Sequence, residues 1–417
     1  MDHEAELTKA LSYVEGMRDR LVAWRRDLHM HPELSGEEER TAALVADHLR
    51  RLGLETTTHV GGHGVVGVLG DAQSGETIAY RADMDALPIQ DELDKPYRAL
   101  PLGTKHACGH DAHMAIAMGI AEALLKSGVR LPGAIKFIFQ PAEESLDGAR
   151  AMIEDGVLAA PRPRALLAIH AFPLPAGTLG IRSGLCLAGM DEFKVRFYAP
   201  AGNLSALIRR AKCVLEAMST AKAPTTTTEF DEVLDRMFLD SDLRQAVFVS
   251  CWPLDEGQPQ KAHLLGLVSI ADFDRRPHVH AQIRERLDAV VSEMGASYDL
   301  NHTFSNPPLH NDSQLVEAIL PQLKEVLGED RVLEFKAPYP FAHEDLALYT
   351  ARIPGALIWL GTANRARGIP SLLHTPDYDI DEDALVIGAK AALAAIWSLL
   401  ANTPMDVNEI PDDQPAG

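Results

Sequence analysis

The segment Lys105-His106-Ala107-Cys108-Gly109-His110-Asp111-Ala112-His113 constrains this chain more than any other. It sets three imidazoles, a thiol and a carboxylate within nine residues, and the other chemically suggestive residues read as its partners. In an extended segment Cys108 and His110 project to the same side, and Gly109 between them lets the backbone come close. A soft thiolate two residues from an imidazole suits a borderline transition metal such as zinc or manganese. The competing reading is a turn that merely contains histidines. From His110 to Leu125 the apolar spacing is helical, which places the segment where a loop enters a helix.

Two further stretches end in carboxylates. The run Ala134 to Gln140 has the continuous apolar character of a buried strand and is followed by Pro141-Ala142-Glu143-Glu144. Adjacent side chains at a strand end point in different directions, so one acid can bind a metal while its neighbour faces a substrate. A metal hydrolase needs that division between a ligand and a base that takes a proton from water. The run Arg81 to Pro88 carries Asp83 and Asp85 to the carboxyl edge of a sheet, where ligands collect in α/β folds. Turn capping, a direct role in the site and support of a metal-bound histidine from behind are all open to these two acids. Leu166 to Ile169 reads as a third strand, with His170 at its end.

The remainder sets the frame. Residues from Glu4 to Leu54 look helical, with a break at His31-Pro32 and a capping-box pattern, Ser35 with Glu38, opening the second helix. His29 and His31 beside that break read as packing or capping residues. Helical stretches (Leu204 to Met218, Val279 to Met294) and strand-like runs (Phe193 to Phe197, Leu264 to Ile270) form a small α+β domain, with Pro224 to Thr228 as a loop or helix start. After it come a helix near Ser313 to Leu327, the acid pair Glu344-Asp345, the strand Ala356 to Leu360, and Leu372-Leu373-His374-Thr375-Pro376-Asp377. The apolar stretch Ala384 to Ala401 contains Lys390 and is rich in alanine, so a packed terminal helix is expected rather than a membrane span. The tail after Thr403 is expected to be disordered.

At 417 residues the chain should form two domains, with bounds 1–187 plus 303–417 for the larger and 188–302 for the smaller. A formal net charge of -21 argues against nucleic acid or an anionic membrane as partner. Four cysteines without framework spacing, and an acidic N-terminus without an apolar run, fit a reducing cytoplasm.

Arg26-Asp27-Leu28-His29-Met30-His31-Pro32-Glu33-Leu34, the Arg81 to Pro88 run, His106 to His113, Gln140 to Glu144, His170, and His374 followed by Asp379 to Leu385 together resemble the aminoacylase/carboxypeptidase-G type metallopeptidases. Within them the resemblance is to the subfamily of hippurate hydrolases, auxin-conjugate amidohydrolases and aminobenzoyl-glutamate hydrolases. It implies an α/β fold: a zinc-peptidase-like catalytic domain with a mixed sheet flanked by helices, and an inserted ferredoxin-like α+β domain. It implies two divalent ions per subunit, Mn2+ or Zn2+, with Cys108, His110, Glu144, His170 and His374 as ligands and Cys108 bridging. Glu143 would be the general base and acid, Asp85 would support the site from behind, and the chain would act as a homodimer or higher homo-oligomer on a small molecule.

The small domain departs from the pattern. Relatives carry a Gly-Gly-His-x-x-x-Pro segment whose histidine stabilises the oxyanion, whereas this chain runs Phe197-Tyr198-Ala199-Pro200-Ala201-Gly202-Asn203-Leu204. The Gly-x-x-Arg strand of relatives also reads Gly266-Leu267-Val268-Ser269-Ile270, without arginine. An oxyanion donor is worth roughly 3 kcal/mol to acyl transfer. Either another residue such as His263 or His310 replaces it, or the hydrolysed bond is different. The leading expectation is therefore hydrolysis of the amide of an N-acyl amino acid or aryl conjugate. The alternatives are hydrolytic deamination of an electron-poor aromatic amine, as in nitroanthranilate aminohydrolase, and a non-catalytic scaffold.

Overall fold

The computed structural model describes residues 3–199, 203–254 and 261–401. The segment 200–202 and the tail after Thr403 lie outside the described residues. Two compact units emerge: Met1–Gly184, Asn311–Glu334 and Leu348–Gly417 form the first, and Leu185–His310 with Phe335–Ala347 the second. The second is thus wider than the 188–302 read from the sequence, and takes in a separate segment that contains the acid pair Glu344-Asp345.

The first unit opens with α1 (His3–Glu15), α2 (Arg18–Met30) and α3 (Glu39–Leu52). The α1–α2 junction was not visible in the sequence, because Met17 is itself buried and keeps the apolar spacing running. The capping box is also corrected. The first-turn N–H groups of Arg40 and Thr41 are bound by the Glu33 carboxylate at 3.0 and 2.8 Å. Ser35 and Glu38 instead point to distant backbone and carboxylate groups described below.

The chain continues through β1 (Glu55–Val60), β2 (Gly64–Gly70), β3 (Thr77–Asp83), α4 (His110–Lys126), β4 (Ala134–Gln140), α5 (Gly148–Glu154), β5 (Ala165–Pro175) and β6 (Leu179–Ile181). Next come β7 (Gly184–Leu187), β8 (Gly189–Tyr198), α6 (Leu204–Glu216), α7 (Thr227–Phe238), β9 (Val247–Leu254), β10 (Lys261–Ile270), α8 (Arg276–Met294), β11 (Ser297–Asn306) and β12 (Leu309–Asn311). The last are α9 (Ser313–Leu327), β13 (Val332–Glu334), α10 (Leu346–Thr350), β14 (Gly355–Ala363) and α11 (Ala384–Ala401).

The eight-stranded sheet of the first unit has the order β1-β2-β4-β3-β5-β14-β6-β13. Its centre, β4-β3-β5-β14, is parallel, while β1, β2 and the β14–β6 contact are antiparallel. Every residue of β3, β4 and β14 is buried, which is why these strands read as continuous apolar runs. Because the central strands are parallel, their carboxyl ends share one edge. There β3 stops early: its last pair with β5 is Arg81↔Ala168, whereas β5 stays paired to β14 as far as Pro175. His170 lies inside β5 rather than at its end. Helix α11 is long and apolar enough to cross a membrane by composition, yet 78% of it is buried within the structure, where it joins the core of the first unit.

In the second unit the order β-α-β-β-α-β is built from β8, α6, β9, β10, α8 and β11, with α7 added, and the antiparallel sheet has the order β11-β8-β10-β9. That is the ferredoxin-like arrangement. Leu207, Ala211 and Leu215 of α6 and Val279, Ile283 and Leu287 of α8 pack on Phe193, Val195, Phe197 and Val268. The threonine run resolves as a helix start, with Thr226 accepting from Glu229 N at 3.2 Å. Buried Asp191 receives Arg276 Nε and His280 Nε2, each at 2.7 Å.

Candidate metal centre

The Lys105–His113 segment is a short turn that ends in α4. Gly109 occupies the N-cap in the left-handed region (φ +91), and His110 is the first helical residue. A side chain at Gly109 would put its Cβ 2.6 Å from Tyr378 Oη and 2.7 Å from Ala171 Cβ, so only glycine lets the turn lie this close to β5.

Around Cys108 the structure gathers residues from four places in the chain. Cys108 Sγ lies 3.4 Å from His170 Nε2 and 3.3 Å from His374 Nε2. Glu144 Oε1 is 3.6 Å from His374 Nε2 and 3.9 Å from His110 Nε2. Glu143 Oε2 is 3.9 Å from His110 Nε2. All seven residues singled out from the sequence, Asp85 included, therefore fall within one neighbourhood. His374 reaches it in a strained left-handed conformation (φ 60), with its N–H bound to Ala107 O at 2.8 Å.

The supporting contacts orient these groups. His110 Nδ1–H donates to Asp85 O at 2.9 Å and faces Asp85 Oδ1 at 3.2 Å, which turns Nε2 toward Glu144. The second Asp85 oxygen accepts from Ser35 Oγ at 2.7 Å and from Glu144 N at 2.9 Å. Glu38 Oε1 accepts from Ala142 N at 2.8 Å, so Ser35 and Glu38 both serve the loop that carries the acid pair. Nothing in the sequence marked that use, since both residues fit a helix cap equally well. His29 and His31 stand apart from the cluster. His29 is buried between Asp111 (2.7 Å) and Asp91 (3.3 Å), and His31 bonds Asp27 O at 2.8 Å.

Behind the Lys105–His113 segment runs a buried ionic network. Arg25 meets Asp111 at 2.9 Å and Asp379 at 3.0 Å, and Lys105 meets Asp91 at 3.0 Å and Pro376 O at 2.6 Å. It ties α2 to both the Cys108 turn and the loop after His374.

Electrostatics favour a cation. Burial lifts the Glu144 carboxyl, and His110 works in the opposite direction. Burial also works against charge on His110, yet Asp83, Asp85 and Glu144 outweigh it and push the imidazole up to about 10. Two buried atoms aimed into the cluster, His110 Nε2 and Glu144 Oε1, have no hydrogen-bond partner, an arrangement that is costly unless something else occupies them. A thiol, imidazoles and a carboxylate are the donor set of a borderline divalent metal, and Cys108, His110 and Glu144 bring donor atoms within one ion's reach. The residues present fit such an ion.

Two of the alternative oxyanion donors can be placed within the second unit. His263 is buried, and its Nε2 accepts from Arg196 Nε at 2.9 Å, so that nitrogen offers no proton. His310 is exposed on β12.

Comparison with known proteins agrees with this geometry. Residues 79–398 match the model of Peptidase family M20/M25/M40. A probable hydrolase of Synechocystis sp. is 34% identical over 391 residues, covering 92% of this chain and 96% of that protein. An N-acetylcysteine deacetylase of Bacillus subtilis is 32% identical, covering 90% and 96%. Among solved structures, a dinuclear metal-binding peptidase of the M20 family from Bacillus subtilis superposes with a TM-score of 0.72 at 27% identity, covering 93% of this chain and 99% of that one. With a family match over most of its length and its polar cluster at the carboxyl edge of the sheet, this chain belongs to Peptidase family M20/M25/M40 and is a metal-dependent hydrolase of carbon–nitrogen bonds.

Proposed function

We propose that the chain is a two-metal amidohydrolase that cleaves the amide of an N-acyl amino acid or an aryl-amide conjugate. Cys108, His110, Glu144, His170 and His374 would hold two divalent ions, Mn2+ or Zn2+, with Cys108 shared between them. When bound, such ions supply an acidified water and polarise the scissile carbonyl. The observation that carries the reading is the convergence of Cys108, His170 and His374 within 3.4 Å contacts, beside a His110 Nε2 and a Glu144 Oε1 that accept or donate no hydrogen bond.

The chain's own residues divide the remaining work. Glu143 sits in the loop just after β4, next to Glu144 and only 4% exposed, and is the base that takes the proton from the attacking water and returns it to the departing amine. Asp85 fixes the ring of His110 and the backbone of Glu144 together, so ligand and base keep their spacing. The substrate class is supported by the deacetylase relative and by the strong acidity of the chain, which suits neither nucleic acid nor anionic membranes. The same reading takes a homodimer or higher homo-oligomer in the cytoplasm, in keeping with four cysteines that lack framework spacing.

A panel of N-acyl amino acids, aryl-amide conjugates and nitro-substituted aminobenzoates tests the proposal. Turnover of the amides is expected, and Glu143→Gln should abolish it while metal content stays unchanged. Turnover of the aromatic amines with inert amides would replace amide hydrolysis by deamination. A Glu143→Gln variant that keeps most of its activity would show the base to be misassigned.

A further inference from the structure

The metal-binding turn contains a third histidine that the proposed chemistry leaves unused. His113 is 1% exposed and lies with Asp83, His110 and His170 in a cluster of four potential donors. Its position three residues after His110, on the same face of α4, makes it look like another ligand.

Its contacts say otherwise. His113 Nε2 receives the backbone N–H of Ala171 at 2.8 Å. A backbone N–H can only donate, so the lone pair of Nε2 is used there and the ring proton sits on Nδ1. Nδ1–H in turn donates to Asp83 Oδ1 at 2.6 Å. Both nitrogens are committed.

The topology explains why Ala171 needs such a partner. Along β5 successive N–H groups alternate between its two neighbours, and that of Leu166 goes to Pro354 O on the β14 side. The N–H of Ala171 therefore emerges on the β3 side. There β3 ends at Asp83, and its last pair with β5 is Arg81↔Ala168. His113 supplies the acceptor that the missing strand would have provided. The carbonyl of the same Ala171 accepts from His170 Nδ1–H at 2.7 Å, which leaves His170 Nε2 facing Cys108 Sγ. On the other side, Asp83 Oδ2 takes Arg81 Nη1 at 2.5 Å, and Arg81 Nε donates to Gln140 Oε1 at 3.0 Å. A lateral chain thus runs Gln140, Arg81, Asp83, His113, Ala171, His170 from the ends of β4 and β3 to the middle of β5.

We propose that His113 is a positioning residue and not a ligand: as the Nδ1–H tautomer held by Asp83, it anchors Ala171 and so sets the ring orientation of His170. In its consequence for metal binding the inference rests on the two-metal reading; the tautomer and the ring orientation are independent of it.

The test uses the full chain labelled with 15N-histidine, chelated and then loaded with Zn2+, in wild type, His113→Gln, His113→Asn and His170→Ala. Glutamine keeps a side-chain oxygen near the Nε2 position, while asparagine keeps a polar atom only near Nδ1. In wild type, His113 should show the Nδ1–H tautomer with an Nε2 shift that does not move when Zn2+ is added, whereas His170 Nε2 moves. In the chelated protein His170 should keep its Nδ1–H tautomer in wild type and His113→Gln and lose it in His113→Asn. Zn2+ binding should weaken by about 10- to 100-fold in His113→Asn, stay near wild type in His113→Gln, and keep the same number of ions in both. A zinc-dependent His113 Nε2 shift, or loss of a whole ion in both variants as in His170→Ala, would make His113 a ligand. An unchanged His170 tautomer in His113→Asn would also overturn the proposal. A wild-type chain that takes up no zinc would defeat the two-metal reading, and the tautomers in the chelated protein would still decide this one.

Discussion

Replacing Gly109 by alanine probes how tightly the Cys108–His110 turn is built. The position has φ +91, where an L side chain crowds its own backbone at a cost of about 1–2 kcal/mol. The new Cβ would stand 2.6 Å from Tyr378 Oη and 2.7 Å from Ala171 Cβ, well inside contact distance. Neither neighbour can withdraw. Tyr378 is 0% exposed, and Ala171 is held by its pair with Leu360 and by His113. Overpacking a rigid site of this kind costs about 1–3 kcal/mol more, so the total destabilisation is about 2–5 kcal/mol. Gly109 joins Cys108 to His110, so relief of the clash must displace one of them and metal uptake should fall in parallel. Urea unfolding followed by circular dichroism, together with metal analysis of the purified variant, measures both effects. A Gly109→Ala protein with an unfolding free energy within about 0.5 kcal/mol of wild type and full metal uptake would refute the packing argument.

Two further perturbations test other parts of the account. Arg25→Met leaves buried Asp111 and Asp379 without their shared cation, and breaking a buried pair in this way costs about 3–5 kcal/mol; a urea midpoint equal to that of wild type would contradict it. In the second unit, burial would raise the Asp191 carboxyl, but hydrogen bonds from His280, Arg276 and Ser305 hold it down to about 2, against an ordinary 3.8. That depression contributes about 2 kcal/mol, present above pH 4 and lost as pH falls through about 2. The stability gap between wild type and Asp191→Asn should therefore be full at pH 6 and close as the pH drops from 4 toward 2. A gap that does not change with pH would show that the carboxylate charge is not what Arg276 and His280 recognise.

Much of the site could be read from the sequence because its residues sit at the ends of strongly patterned elements. The strand Ala134–Gln140 has the predicted bounds, and the helix that begins at His110 ends within a residue of its predicted end. What escaped was governed by tertiary contacts. Glu55–Val60 is an edge strand that pairs only with β2, and its alternation of Glu, Thr and His carries little apolar signal. The strand bearing His170 runs five residues past it, because β14 continues to pair where β3 has stopped. Ser35 and Glu38 satisfied a local helix-cap pattern, yet the Glu33 carboxylate took the first-turn N–H groups and released them to Asp85 and Ala142 N. His113 has no role assigned from the sequence, because its partner, the N–H of Ala171, is set by the register of β5.

The most direct measurement is anomalous diffraction from crystals of the manganese- or zinc-loaded chain. The account predicts two peaks, each at a coordination distance of roughly 2.3 Å from Cys108 Sγ, with His110, Glu144, His170 and His374 completing the shell and Glu143 outside it. A single peak, or two peaks that leave Cys108 unliganded, would contradict the central claim.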